Sequence, residues 1–117
     1  MTSVVIPASA ATVTVSIIDS TAWAYNVPCA ELFKPRFPGL DTLDLCSYSF
    51  LISHDTDNNR RNVLFDLGIR KDWQNLVPSM VSKFKEWGTK VQVEKHVADI
   101  LEENNMDLTS VEAIIWR

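Results

Sequence analysis

Apolar and polar residues alternate through much of the first half of the chain. Residues 12–18 read Thr-Val-Thr-Val-Ser-Ile-Ile, and residues 45–53 place Tyr, Phe and Ile at every second position. Alternation of period two places such side chains on one face of a β-strand. A third run, at residues 63–65, is short and wholly apolar. The pattern therefore predicts a mostly antiparallel sheet over residues 12–66.

Polar clusters indicate where these strands should end. Asp19-Ser20-Thr21 predicts a turn before a short strand over residues 23–27, and residues 55–59 predict the polar tip of a hairpin. Residues 28–44 hold three prolines, a glycine and several aromatic residues, which favours a long irregular loop. Long loops commonly carry functional residues.

The apolar spacing lengthens to three or four residues in the second half. Apolar residues recur at helical intervals within residues 77–87, which predicts an amphipathic helix that ends at Gly88. A second, shorter helix is predicted over residues 97–104, and residues 90–94 alternate as a strand does. Strands first and two helices later predict an α/β protein with layered strands and helices.

The end of the sequence is its most unusual part. Residues 111–116 read Val-Glu-Ala-Ile-Ile-Trp, a nearly continuous apolar run that predicts a strand buried on both faces. Only Arg117 follows it. Because a buried strand needs neighbours and cover, we expect residues 1–117 to be a single, incomplete and truncated domain.

The composition mainly excludes classes of protein. The net charge is −4 and the Lys and Arg residues form no run longer than two, so nucleic acid is a poor candidate partner. No apolar stretch is long enough to span a membrane. Residues 1–11 lack the positively charged start of a secretion signal, so we expect a cytoplasmic protein.

Few residues offer catalytic chemistry. His54 and His96 stand outside any paired metal-binding pattern. Residues 53–55 (Ser-His-Asp) cannot form a triad, because neighbouring strand residues point to opposite faces. Residues 55–59 imitate part of a calcium loop, but Arg60 occupies the position that requires glycine. The residues therefore predict no catalytic group and no metal ligand in this chain.

The cysteines and tryptophans favour packing roles. Cys29 and Cys46 are too few for a disulfide framework and are interpreted as small buried apolar residues. The four tryptophans are expected mainly in the core, with Trp23, at the start of the long loop, as the exception to watch.

Asp66 carries the sharpest chemical signal. It ends the apolar run at residues 63–65, and a carboxylate in such a place is costly to bury without partners. Two roles remain open on the residues alone. Asp66 either caps a turn or orients groups on a neighbouring loop.

These segments, in this order, resemble the N-terminal third of the metallo-β-lactamase-fold hydrolases. The hairpin that ends in Phe65-Asp66-Leu67-Gly68 is similar to the opening hairpin of that family. Residues 70–76, 93–101 and 107–116 then follow as similar segments do in a fungal branch of lactonase-like and γ-lactamase proteins. The resemblance covers roughly residues 15–116.

The resemblance implies a fold and a site. The fold would be a partial αββα sandwich, of which this chain holds the N-terminal sheet and two helices. Asp66 would support the family's zinc site, and the loop with Trp23, Phe33 and Phe37 would border a substrate pocket. In the family, the strand corresponding to residues 111–116 leads into Ser/Thr-His-x-His-x-Asp-His, which supplies zinc ligands. That segment is missing from this sequence, so we expect this chain to hold no cofactor.

The resemblance also implies a function. The family hydrolyses lactones, lactams and related esters with zinc-activated water, which would serve fungal secondary metabolism or xenobiotic degradation. We expect this chain alone to be inactive, and its partner, if it were completed, to be a small lactone or lactam. The alternative is a non-catalytic interaction module that pairs through an open sheet edge, including with a second copy of itself.

Overall fold

The computed structural model describes residues 3–116. Its strands are β1 (Thr14–Pro28), β2 (Thr42–Thr56), β3 (Asn59–Phe65), β4 (Lys90–Val93) and β5 (Val111–Ile115). Its α-helices are α1 (Cys29–Leu32), α2 (Pro78–Trp87) and α3 (Val97–Glu103). Helices α2 and α3 confirm the two that the apolar spacing predicts. The short α1 lies inside the predicted loop and was not expected.

The five strands form one sheet in the order β4-β1-β2-β3-β5. The pairs β1–β2, β1–β4 and β2–β3 are antiparallel, which confirms the prediction for residues 12–66. The pair β3–β5 is parallel. The two strands from the helical half of the chain therefore occupy the two edges of the sheet.

Strand β1 runs without a break through Asp19-Ser20-Thr21, so the prediction of a turn there is wrong. These residues form a β-bulge instead, because the register with β2 shifts between Asp19 and Trp23 and Thr21 adopts a φ of 57°. The Asp19 carboxylate accepts a hydrogen bond from the Thr21 N–H at 2.9 Å, as it would in a turn. The strand continues because the residues after the bulge pair with both β2 and β4.

The core lies between the sheet and α3. Ile18, Leu51 and Leu64 come from three adjacent strands and are buried against Val97 and Leu101 of the helix. Burial of each such side chain contributes about 1.5–3 kcal/mol. This packing fixes α3 over the middle of the sheet, whereas α2 has no fully buried residue.

The opposite face of the sheet is apolar and open. The strand registers place four large apolar side chains on this face, either in directly paired positions or two residues along the same strand. They are Ile17, Tyr48, Phe65 and Ile115. They are between 41% and 70% exposed. A contiguous apolar surface of this kind is typical of an interface. We call it the open face.

Strand β5 lies at an edge of the sheet that residues 3–116 form. In this structure, the prediction that residues 111–116 are buried on both faces is therefore wrong. The only neighbour of β5 in that sheet is β3, and Ile114 and Ile115 are each about half exposed. Among the described residues, β5 is therefore paired on one side only.

Two residues are more exposed than the sequence predicts. Cys29 is buried as expected, but Cys46 is exposed, because the alternation of β2 places it on the open face with Tyr48. Trp116 is 74% exposed, so core packing is wrong for that residue. Trp73 and Trp87 are partly buried and contact Phe84 from two sides.

Candidate functional site

Asp66 lies where β3 ends and adopts a left-handed conformation, with a φ of 64°. Its carboxylate accepts a hydrogen bond from the Gly68 N–H at 2.8 Å, which closes a tight turn. Its own N–H donates to the Ile115 carbonyl at 2.9 Å. Of the two roles that the sequence leaves open, the turn-capping role is present, and the second carboxylate oxygen is not used by this turn.

Gly68 lies two residues further on and is held against the buried Ser20 and the partly buried Ser47. A Cβ at this position would lie 2.8 Å from the Ser47 Oγ and 3.0 Å from the Ser20 Oγ. The two hydroxyls are hydrogen-bonded to each other at 2.6 Å. Ser49 lies on the same side of β2 and is fully buried, with no hydrogen-bond partner for its Oγ among residues 3–116. The turn after β3 therefore packs tightly onto β1 and β2.

The parallel pair β3–β5 brings two chain segments to one edge of the molecule. Parallel strands finish at the same end of a sheet, so Asp66 after β3 and Trp116 after β5 are neighbours. The hydrogen bond from Asp66 to Ile115 joins the two ends. Any residue that follows Trp116 therefore starts beside the Asp66 turn.

A charged cluster lies on the loop between β3 and α2. The Arg70 guanidinium donates two hydrogen bonds to the Asp72 carboxylate. Arg70, and then Asn75, hold the pKa of Asp72 well below its usual range. The His96 ring lies on the other side of this carboxylate, with Nε2 4.0 Å from Asp72 Oδ1. The Arg70 and Asp72 charges are thus largely neutralised within the chain.

A cavity of about 660 Å³ lies between this loop, α2, the start of α3 and the end of β5. Its walls are mostly apolar, and Arg70 and His96 are its polar side chains. The apolar walls come from the loop, from α2, from the start of α3 and from Trp116; they are Leu67, Ile69, Leu76, Val77, Met80, Phe84, Val97 and Ala98, with Trp116. The sequence predicted the apolar stripe of α2 but did not indicate this cavity.

The three aromatic residues expected to border a substrate pocket do not line this cavity. Trp23 lies on β1 and stacks on Tyr25, with ring centroids 5.7 Å apart. Phe33 and Phe37 lie in the loop between α1 and β2 and meet edge to face at 6.2 Å. All three are exposed. Residues 3–116 therefore hold them apart from the cavity, and their substrate role stays a prediction.

The described part of the chain does not assemble a metal site. Residues 3–116 contain no group of three or more His, Cys, Asp or Glu side chains placed to hold an ion. A closed zinc site needs four such ligands and a catalytic one needs three. The side chains of these residues therefore do not fit the zinc that the resemblance implies.

None of the helices within residues 3–116 has the length and apolar character that a membrane span needs.

Sequence comparison finds fungal relatives over nearly the whole chain. A gamma-lactamase of Fusarium pseudograminearum is 44% identical over 115 residues, which are 97% of this chain and 28% of that protein. A metallo-hydrolase of Annulohypoxylon moriforme is 35% identical over 115 residues, which are 95% of this chain and 29% of that protein. The chain thus spans less than a third of the length of either relative.

A third relative carries a different name. A cytochrome P450 monooxygenase of Penicillium roqueforti is 41% identical over 116 residues, which are 95% of this chain and 13% of that protein. Most of that long protein lies outside the match. No family model matches the chain, and no solved structure matches it.

Proposed function

Because this chain belongs to the metallo-β-lactamase-like proteins, we propose that it forms one part of a hydrolase that opens a lactam or lactone ring. The gamma-lactamase and metallo-hydrolase names of its relatives support the reaction class. The substrate is a small cyclic amide or ester, encountered in fungal secondary metabolism or in the breakdown of foreign compounds. The chain acts in the cytoplasm and binds neither nucleic acid nor membrane.

The observation that carries this proposal is the shared end of β3 and β5. The Asp66 N–H donates a hydrogen bond of 2.9 Å to the carbonyl of Ile115, the last residue of β5. A segment that continues from β5 starts beside this carboxylate, one of whose oxygens is left over by the turn. Outer carboxylates of this kind orient the ligands of metal sites through hydrogen bonds.

The open face supports the proposed αββα layering. Its apolar side chains on β1, β2, β3 and β5 would pack against a second sheet, as in a β-sandwich. The helix α3 covers the other face already. In this arrangement the second sheet covers Ile115, and a further strand beside β5 gives that edge a neighbour.

We further propose that the chain alone is inactive and holds no zinc. The side chains of residues 3–116 provide no set of three ligands, so the metal and the reacting water depend on residues outside this range. The contribution of this chain is positional. It holds the Asp66 turn rigidly through Gly68, Ser20 and Ser47, and it holds the start of the following segment through β5.

A chimera tests the proposal. This chain would replace its matching segment in the Fusarium pseudograminearum gamma-lactamase. We expect the chimera to fold, to retain metal and to hydrolyse lactams, whereas the 117-residue chain alone neither retains metal nor hydrolyses lactams. A chimera that folds but neither holds metal nor hydrolyses lactams would contradict the proposal.

Two variants of the chimera separate the roles of Asp66. Asp66→Asn keeps an oxygen for the Gly68 N–H and tolerates the left-handed backbone, but it removes the charge. We expect Asp66→Ala and Asp66→Asn each to lower metal affinity or activity about 10- to 100-fold. If Asp66→Asn is fully active and only Asp66→Ala is impaired, Asp66 serves the turn alone.

The alternative, an interaction module that pairs through the open edge, is favoured by one observation. Strand β5 presents unpaired backbone groups beside the exposed Ile114 and Ile115. Such an edge can add a strand from another chain or from a second copy. A stable, stoichiometric complex formed by the chain without any hydrolytic partner domain would support this alternative.

A further inference from the structure

We propose that the cavity between α2 and the start of α3 is a binding site for a neutral aromatic molecule, formed by this chain without a metal and without further segments. This goes beyond the proposed hydrolase, because it concerns binding by the described residues themselves. The volume of about 660 Å³ lies within the roughly 300–1,000 Å³ of small-molecule sites. It is large enough for a ligand with one or two rings.

The wall chemistry favours an apolar ligand with an aromatic ring. Phe84 stands in the α2 wall and is held edge to face by Trp73 at 5.9 Å and by Trp87 at 6.2 Å. Trp116 lines the cavity from the end of β5 and is 74% exposed. Aromatic side chains attract ring-bearing ligands through apolar burial and through preferred ring geometries. The flexible Met80 side chain also lines the cavity and can adapt to the shape of a ligand.

The polar groups at the cavity favour a neutral ligand over an anion. Arg70 would be the natural partner of a carboxylate, but its guanidinium is already paired twice with Asp72. The Lys71 N–H lies 3.5 Å from the His96 Nδ1, and Asp72 lies near the other ring nitrogen. An anionic ligand would have to displace Asp72 from Arg70, which offsets the charge attraction that it gains.

The test uses indole as a neutral aromatic probe and the full 117-residue chain. Amide NMR spectra recorded during a titration should show saturable shifts at the cavity, among residues 67–70, α2 and Val97. We expect a dissociation constant of about 1 mM or below, as befits a ligand of this size. Indole-3-carboxylate should bind no more tightly than indole.

Two substitutions that fill the cavity and one matched control complete the experiment. Met80→Trp should weaken indole binding at least about tenfold. Ser82→Trp introduces the same side chain on the opposite side of the same helix and should leave binding unchanged. If Met80→Trp disturbs the fold, Ala98→Phe fills the cavity from the short helix instead. Dispersed NMR spectra establish that each variant is folded.

Three results would overturn the inference: shifts confined to the open face, binding that both filling variants leave intact, or tighter binding of the carboxylate. Competition with lactam hydrolysis in the chimera shows whether the ligand is part of the substrate or a separate effector. Indole binding without any hydrolysis by the chimera would contradict the proposed function and leave this inference standing. Hydrolysis by the chimera without indole binding would contradict this inference and leave the proposed function standing.

Discussion

Gly68 packs the Asp66 turn against the sheet, and replacing Gly68 tests how closely the two are packed. Gly68→Ala adds a Cβ 2.8 Å from the Ser47 Oγ, at a φ of 63°. Gly39→Ala is a matched control, because Gly39 also has a positive φ but has no heavy atom within 4 Å of the added Cβ. The backbone alone should cost each variant about 1–2 kcal/mol of unfolding free energy.

The crowding at Gly68 should cost about 1–3 kcal/mol more, because neither serine can move without losing a partly buried hydrogen bond. Urea unfolding of the two variants gives this difference directly. Equal losses for Gly68→Ala and Gly39→Ala would mean that the turn moves freely and does not hold Asp66 in place.

The ion pair of Arg70 with Asp72 predicts a pH dependence. Hydrogen bonds from Arg70, and then from Asn75, lower the pKa of Asp72 in the folded chain. A carboxyl with a lowered folded-state pKa stabilises the fold above its unfolded pKa of about 3.9, and this stabilisation disappears as the pH falls through the folded value. The pair is exposed to solvent, so the stabilisation is small.

The clearer measurement is therefore the titration itself. Arg70→Gln should raise the pKa of the Asp72 carboxyl towards its ordinary range, as followed by carbon NMR in acid. Arg60→Gln removes a looser partner of Asp55 at the hairpin and should leave Asp72 unchanged. An Asp72 titration that Arg70→Gln does not alter would remove the argument that Arg70 is unavailable to a ligand at the cavity.

At the scale of elements, the bulge in β1 connects the edge strand β4 to the rest of the sheet. The Thr21 hydroxyl accepts hydrogen bonds from the backbone N–H groups of Glu94 and Lys95, at 3.2 and 3.0 Å. Thr21→Val keeps the shape and removes this acceptor. We expect a loss of about 1–3 kcal/mol, because two backbone donors lose their partner.

Amide hydrogen exchange locates that loss. Protection at residues 94 and 95 should fall in Thr21→Val and stay unchanged in Thr14→Val, which alters an exposed residue of the same strand. Unchanged exchange at both amides would show that β4 is held by its pairing with β1 alone.

The same bulge shows how much of the fold the sequence can predict. Apolar runs and period-two or helical patterns locate β2, β3, β4, α2 and α3, because the apolar residues of each element recur at the spacing of its own backbone. Asp19-Ser20-Thr21 is locally a turn sequence, and its hydrogen bond is present. Tertiary pairing with β4 keeps the strand continuous, and no local pattern contains that information.

The site was predictable to a lesser degree, since it depends on pairing between distant segments. Asp66 is visible because a carboxylate follows an apolar run. Its closeness to Ile115 comes from the parallel pairing of β3 with β5, which lie more than forty residues apart in the sequence. The cavity was missed because an apolar helix stripe looks the same whether it faces a core or a cavity.

At the scale of the whole molecule, both the open face and the β5 edge favour self-association. Ile17→Lys places a charge on the β1 side of the open face, and Ile115→Lys places one where that face meets the β5 edge. We expect each to shift the chain towards monomer in sedimentation velocity, because burying an unpaired lysine in a contact is costly. Val4→Lys, in the exposed N-terminal arm, is the control.

The two variants also distinguish the surfaces. If Ile17→Lys alone gives monomer, the chains associate face to face. If Ile115→Lys alone does so, they pair along the edge, as the interaction-module hypothesis requires. Association that neither substitution reduces would contradict a role for both surfaces.

The open face has a consequence during synthesis. Chains leave the ribosome N-terminus first, at about 5–20 residues per second. In a longer protein of the proposed kind, Ile17, Tyr48 and Phe65 would be exposed to the cytosol until the covering sheet is translated. Apolar surface exposed in this way is bound by chaperones and is prone to aggregate. The yield of the complete protein would then depend on chaperone supply as well as on its final stability.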